Sequence, residues 1–189
     1  KYNFQIHYPG AGVGGPCLPI NSYQLLNTAR RTGVRLNIIE TGRQINEKMP
    51  EHVIELTLDA FKECNKTIQN NSILILGISY KPDVKDIQLT PAKHIIEKLQ
   101  KLGANVHIYD PYFSSGQVFG INVEENLDDI ISKVDASIIV TGHEEFKKIE
   151  LSIFNQMKSS ILIDTRGIID PEDAKQAKLI FRGLGRGKL

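Results

Sequence analysis

A chain of 189 residues, 41% hydrophobic and 24% charged, is ordinary globular material, long enough for one large domain or a domain plus an extension around a sizeable core. A formal net charge of +1 gives no electrostatic footprint for nucleic acid or an anionic membrane, and the apolar runs, 72–78 among them, are strand-sized rather than membrane-spanning. Two cysteines, Cys17 and Cys64, and five scattered histidines argue against a disulfide framework and a structural zinc site, and fit a reducing cytoplasm.

The chain begins Lys1-Tyr2-Asn3-Phe4 without Met and carries its richest motif near that end, which reads as a piece of a longer protein with sequence missing upstream. Residues 1–21 are dense in Gly and Pro, a composition that breaks regular structure and lets backbone approach a ligand. Asn21 or Ser22 is expected to cap a helix running to about Arg31, with Gly33 as its stop. A second helix is predicted over 37–65, where Ile38, Ile45, Met49, Val53, Leu56 and Ala60 recur at helical spacing. Pro50 falls inside it and predicts a kink or break near Lys48 and Met49. A helix of that length and amphipathicity suits packing between domains or subunits.

From Ser72 the pattern changes to short apolar strands alternating with helices. Strands are expected at 72–79, 105–109, 136–141, 160–164 and 179–182, with helices at 91–102, 127–132 and 151–157. The continuous apolar strands Ile73-Leu74-Ile75-Leu76 and Ile138-Ile139-Val140 imply burial on both faces, hence a mainly parallel, doubly wound α/β sheet of Rossmann-like type. Two parts follow: 1–70, a cysteine-bearing loop with helices, and 71–189, the α/β domain. Ligands of such sheets bind at the carboxyl ends of strands. That rule puts Ser79-Tyr80-Lys81, Asp110-Pro111, Thr141-Gly142-His143 and Thr165-Arg166 on one rim.

Cys17 lies in Gly14-Gly15-Pro16-Cys17-Leu18-Pro19, just ahead of the first helix. A helix N-terminus favours the anionic form of a thiol placed there, and Gly12, Gly14 and Gly15 leave room for a substrate. On residue chemistry alone, a small buried hydrophobe is the plainer reading of the same cysteine. At the exit of the 72–79 strand, Lys81 suits a phosphate and Tyr80 a base or sugar; a solvated lysine beside a half-buried tyrosine is the plainer reading. Arg166 stands at another strand exit, where it either meets a ligand or pairs with Asp164 or Asp170. No strand of the 71–189 part is followed by G-x-G-x-x-G, so the usual dinucleotide fingerprint is absent from that domain.

Taken in order, PGAGVGGPCLP (9–19), RQINEKMPEHV (43–53), ILGISYKPDVKDIQLTPA (75–92), VHIYDP (106–111) and ILIDTRGIIDP (161–171) closely resemble the C-terminal half of the UDP-glucose/GDP-mannose dehydrogenase family. The form of the cysteine loop is most similar to the UDP-N-acetyl-mannosamine dehydrogenase branch. The resemblance implies an enzyme with an N-terminal NAD-binding domain, a central helical dimerisation region and a C-terminal nucleotide-sugar domain. This chain would hold the second half of the middle part and all of the last, with NAD bound mainly by the missing domain. It implies oxidation of a sugar C6 alcohol to an acid in two hydride transfers, through a cysteine thiohemiacetal and thioester.

Under that resemblance Cys17 is the nucleophile, Gly14, Gly15, Tyr80, Lys81 and Arg166 contact a UDP-sugar, and a homodimer forms through 37–65. Two positions depart from the family pattern. Asn21 stands where an aspartate helps order the catalytic water; it can hydrogen-bond but cannot act as a base. Gln88 stands where an arginine faces the cofactor and has no charge to offer a pyrophosphate. The alternative from another class is a nucleotide-sugar-binding and dimerisation module without catalysis of its own.

Overall fold

The computed structural model describes residues 8–186. Helix α1 covers Leu18–Arg31 and α2 Asn37–Glu63; strand β1 is Ser72–Leu76, followed by α3, Pro91–Lys101, and β2, Asn105–Tyr109. A small hairpin of β3, Gln117–Val118, and β4, Ile121–Asn122, precedes α4, Leu127–Ile131, and β5, Ala136–Ile139. After two 3-10 turns come β6, Ile161–Asp164, α5, Pro171–Gln176, and β7, Ile180–Gly183. The five long strands form one parallel sheet in the order β2-β1-β5-β6-β7. This is the doubly wound Rossmann-like sheet that the apolar runs predict.

Strand alternation decides which helix packs where. Ile73, Ile75, Ile138, Ile161 and Ile163 face a layer built by α2 and α3, where Val53, Ile54, Ala60, Phe61, Ile95, Ile96 and Leu99 are buried. Leu74, Leu76, Ile139 and Leu162 face the opposite layer, with Leu127, Ile130 and Ile131 of α4, Phe146, Phe154 and Ala174. The buried stripe of α2 (Val53, Ile54, Thr57, Ala60, Phe61) recurs at helical spacing. Its C-terminal half therefore shares one core with the sheet. From β1 the chain passes through α3 to β2 on one side, then crosses back to β5 on the other. The carboxyl ends of β1 and β5 thus flank a topological switch point, the usual ligand crevice of such sheets.

Several predicted boundaries change. Helix α1 starts at Leu18, ahead of the expected caps, because Pro19 occupies its first turn, where a missing N–H costs nothing. Ser22 instead turns its hydroxyl back onto the Leu18 and Pro19 carbonyls, at 3.0 and 2.8 Å. Helix α2 runs through Pro50 without the expected break, its buried stripe holding it on the sheet. Pro50 cannot donate to the carbonyl of Asn46, and that carbonyl faces Gly12. β1 ends at Leu76 rather than residue 79, because Gly77 turns the chain at φ +82°. The 151–157 helix is a 3-10 turn over Leu151–Gln156. The β3–β4 hairpin and α5 were not anticipated.

Arg182 on β7 fastens the last strand to α2. Its side chain is 2% exposed and bonds Asp59 at 2.9 Å and Glu63 at 2.5 Å, while those carboxylates remain 36% and 50% exposed. The asymmetry makes a prediction. Arg182→Met removes the buried charge and lets both acids return to water, so it should cost below about 2 kcal/mol. Asp59→Ala with Glu63→Ala strands a buried guanidinium and should cost about 3–5 kcal/mol in urea unfolding. Equal losses, or the reverse order, would contradict the assigned geometry.

Candidate functional site

The rim is built from three adjacent strand exits. A Cβ at Gly77 would lie 2.6 Å from Thr141 Cβ, so the β1 and β5 exits run close together. The following turn is held internally by Ser79 Oγ donating to the Val84 carbonyl at 2.6 Å and Tyr80 N–H donating to the Asp86 carbonyl at 3.0 Å. From β5, Thr141 Oγ1 donates to the Ser79 carbonyl at 2.6 Å. At the β6 exit, buried Asp164 accepts the N–H groups of Arg166, Gly167 and Ile169 at 2.8, 2.9 and 2.9 Å. This turn aims Arg166 back along the rim. Burial pulls the Arg166 guanidinium below its ordinary range, with Asp164 working against that pull.

Across these exits lies the glycine-rich loop, running from the β6 end to the β1 end. A Cβ at Gly10 would clash with the Arg166 guanidinium, and Ala11 is fully buried in the α2–α3 core. Gly12 fits against Pro91 and the Asn46 carbonyl, and Val13 N–H donates to Asn46 Oδ1 at 2.8 Å. Gly14 leaves no room for a side chain beside the Leu89 carbonyl and Tyr80. Gly15 sits at φ +89°, gives its N–H to the Gln88 carbonyl at 2.8 Å, and has its α-carbon against the Tyr80 ring, where a Cβ would come within 2.7 Å. No other residue combines that conformation with that contact.

Cys17 then occupies the N-cap of α1 and is exposed, which rules out its reading as a buried hydrophobe. Asn21, also exposed, gives its N–H to the Cys17 carbonyl at 2.9 Å and so lies one turn further along the same helix. Gly14, Gly15, Tyr80 and Gln88 meet directly; Lys81 is exposed, with Nζ 5.6 Å from the Tyr80 ring centre. Arg166 stands apart from them, at the Gly10 end of the loop. Gln88 touches the loop through its main chain, with its side chain exposed.

The sequence reading put residues 110 and 143 on the rim but gave them no role. His143 is fully buried, with its ring 4.9 Å from that of Tyr112 and 5.3 Å from that of Phe146. Its Nδ1 accepts the Asp83 N–H at 2.9 Å, which puts the ring proton on Nε2, 3.2 Å from Asp110 Oδ2. Asp110 also accepts the N–H groups of Ile78 at 2.8 Å and Tyr112 at 2.9 Å. Burial opposes the charge of Asp110, but the His143 bond and the two backbone N–H groups outweigh it and hold the carboxyl below its usual range. Asn46, which anchors the loop through Val13, was also missed, since nothing local in Gln44-Ile45-Asn46 marks it.

The helix start that follows β1 offers few free N–H groups to a phosphate. The N-terminus of α3, which follows β1, begins with Pro91 and so lacks one N–H, Thr90 Oγ1 caps the Ala92 N–H at 3.3 Å, and Gly12 packs over Pro91. Among the described residues no helix is long and apolar enough to cross a membrane.

With this geometry in view, comparison with known proteins is specific. Residues 74–171 match the UDP binding domain of the UDP-glucose/GDP-mannose dehydrogenase family, and residues 1–48 match its central domain. The chain is 35% identical over 184 residues to the UDP-N-acetyl-D-mannosamine dehydrogenase of Pyrococcus horikoshii, covering 97% of this chain and 41% of that protein. It is 31% identical over 182 residues to the UDP-glucose 6-dehydrogenase TuaD of Bacillus subtilis, covering 94% of this chain and 39% of the relative. The solved structure of the Pyrococcus horikoshii UDP-D-ManNAc dehydrogenase superposes with a TM-score of 0.86 at 34% identity, over 100% of this chain and 42% of that one. An NDP-N-acetyl-D-galactosaminuronic acid dehydrogenase from Methanosarcina mazei Go1 also gives 0.86, at 26% identity, over 96% of this chain and 40% of that one. The chain thus spans about two fifths of the length of these relatives. A parallel sheet with this rim, a Gly-Gly-Pro-Cys loop laid across it and matches along nearly the whole chain place it in the UDP-glucose/GDP-mannose dehydrogenase family.

Proposed function

We propose that this chain is the cysteine-loop and nucleotide-sugar-binding portion of an NAD-dependent UDP-sugar 6-dehydrogenase, acting on a UDP-N-acetylhexosamine. The observation that carries the reading is the exposed Cys17 on a loop whose glycines lie against Tyr80 at the switch point. In this reading the diphosphate meets Lys81 and the sugar reaches across Gly14 and Gly15 toward Cys17. Arg166 closes the far end of the same groove. NAD, which accepts hydride in such chemistry, is assigned to residues outside this chain, and Gln88 offers the cofactor side a neutral neighbour only.

The chemistry assigned to this chain centres on sulfur. Cys17 Sγ adds to the C6 aldehyde carbon, the thiol proton passing to the carbonyl oxygen to give a thiohemiacetal; loss of the remaining C6 hydride, for which bound NAD would supply the acceptor, and of the hydroxyl proton would leave the thioester. Water adds to that carbonyl, the C–S bond breaks, and the uronic acid leaves with Cys17 restored as a thiol. Asn21 orients the water by hydrogen bonding without taking its proton, so deprotonation falls to another group.

Cys17 variants of the full-length enzyme, incubated with NAD and UDP-sugar, give the test. Cys17→Ala should abolish uronic acid, because no thioester forms. Cys17→Ser should accumulate a protein-bound ester visible by intact mass, since an oxygen ester hydrolyses less readily. Cys64→Ser should be silent in turnover. Normal NADH release by Cys17→Ala would leave the chain as a nucleotide-sugar-binding module.

The same reading assigns α2 to a homodimer interface. Ile38 is 89% exposed and Ile45 58% exposed, two turns apart on one face of the helix, and neither belongs to the α2 stripe that meets the sheet. Sedimentation of the chain should show a dimer that Ile38→Asp with Ile45→Asp converts to monomer; a wild-type monomer would remove this assignment.

A further inference from the structure

The turn carrying Tyr80 and Lys81 is bracketed at both ends by buried groups to which no role has yet been given. Before the turn, Ile78 N–H donates to Asp110 Oδ2 at 2.8 Å; after it, Asp83 N–H donates to His143 Nδ1 at 2.9 Å. His143 Nε2 closes the circuit onto the same Asp110 oxygen at 3.2 Å. The two backbone donors are thus tied through one continuous chain of hydrogen bonds, from Asp83 N–H through the imidazole and carboxylate to Ile78 N–H. Both side chains in the middle are shut off from water.

The circuit adds ties from outside to a turn whose internal bonds are Ser79 Oγ to the Val84 carbonyl and Tyr80 N–H to the Asp86 carbonyl. Asp83 holds φ +60°, a left-handed conformation uncommon for non-glycine residues and more open to Asp than to most. Its carboxylate adds a second tie, accepting the Glu144 N–H at 3.0 Å, next to His143 in the chain. Lys81, by contrast, is exposed, so its placement depends on the backbone beneath it. A flexible four-carbon side chain on a loose turn would spend much of its time away from a diphosphate.

We infer that His143 and Asp110 are positioning residues for nucleotide-sugar recognition, a buried clamp that sets the turn presenting Tyr80 and Lys81 to the diphosphate. The inference rests on the UDP-binding reading of the rim and adds to it the groups that act through the turn. The clamp works through the tautomer: Nδ1 must remain an acceptor, and the Asp110 carboxylate enforces this by accepting the proton on Nε2. Asp110→Asn is nearly isosteric, yet it must turn an amide N–H toward either a backbone donor or the imidazole. Its amide N–H groups then face either the Tyr112 N–H in place of Oδ1 or, turned round, both the Ile78 N–H and the imidazole N–H in place of Oδ2, so the Asp110 site loses an acceptor in either rotamer.

The test is calorimetric titration of this chain with UDP, alongside thermal melting. Wild type should bind. Lys81→Ala should weaken UDP binding by about tenfold or more, the loss of a charge-assisted contact. His143→Leu and Asp110→Asn should each weaken it by about tenfold, because the competent turn becomes a minor population. His143→Asn, whose carbonyl oxygen can take the place of Nδ1, should recover most of the affinity. In a Lys81→Ala background the Asp110→Asn change should cost less than about twofold, a coupling that general destabilisation does not produce. Folded His143→Leu and Asp110→Asn chains that bind UDP as tightly as wild type would overturn the clamp while leaving the site standing. Should His143→Leu fail to fold, Asp110→Ala, which removes the acceptor of both the Ile78 N–H and the imidazole, decides in its place. A wild-type chain that binds no UDP would instead remove the nucleotide reading, and this inference with it.

Discussion

Gly15 gives its N–H to the carbonyl of Gln88 and its bare α-carbon to the ring of Tyr80, and Gly14 packs beside it on Leu89. Through these contacts a loop that precedes all the sheet strands in sequence becomes part of the sheet's ligand-binding rim. Cys17 follows two residues later, so its position relative to the turn bearing Tyr80 is set by glycine backbone rather than by flexible side chains. A methyl group at either glycine would push the loop off the rim.

Helix α2 makes this placement durable. Its C-terminal half is a layer of the sheet core and is tied to β7 by buried Arg182; its middle anchors the loop through Asn46. Pro50 has a part in this, because the Asn46 carbonyl, to which it has no N–H to give, lies where Gly12 passes. The helix therefore links the two regions that the family comparison separates, the central match ending at residue 48 and the UDP-binding match beginning at residue 74.

Much of this was legible in sequence because it is local. Apolar runs at 73–76 and 138–140 announce strands buried on both faces, and five ordered segments carry the family resemblance without any structure. The start of α1 was misplaced because Asn21 and Ser22 are good caps, while the deciding feature was the tolerance of Pro19 in a first turn. The clamp was not legible. His143 lies 60 residues from Asp83 and 33 from Asp110 in sequence, and only the crossover from β2 back to β5 brings them together. The exposure of Cys17 was likewise undecided by residue type, since free cysteine is so often buried.

In the proposed reading, the cysteine loop and the UDP-binding rim form one site. Thiol alkylation tests it directly, because the chain carries its own control: Cys64 is half-buried at the end of α2, where burial pushes its thiol up against the pull of Lys66. The measurement is the rate of iodoacetamide labelling at each cysteine, by mass spectrometry, with and without saturating UDP-N-acetyl-D-mannosamine. A shared site predicts that the nucleotide sugar slows labelling of Cys17 severalfold and leaves Cys64 unchanged. Labelling of Cys17 at the same rate in the presence of bound nucleotide sugar would contradict it.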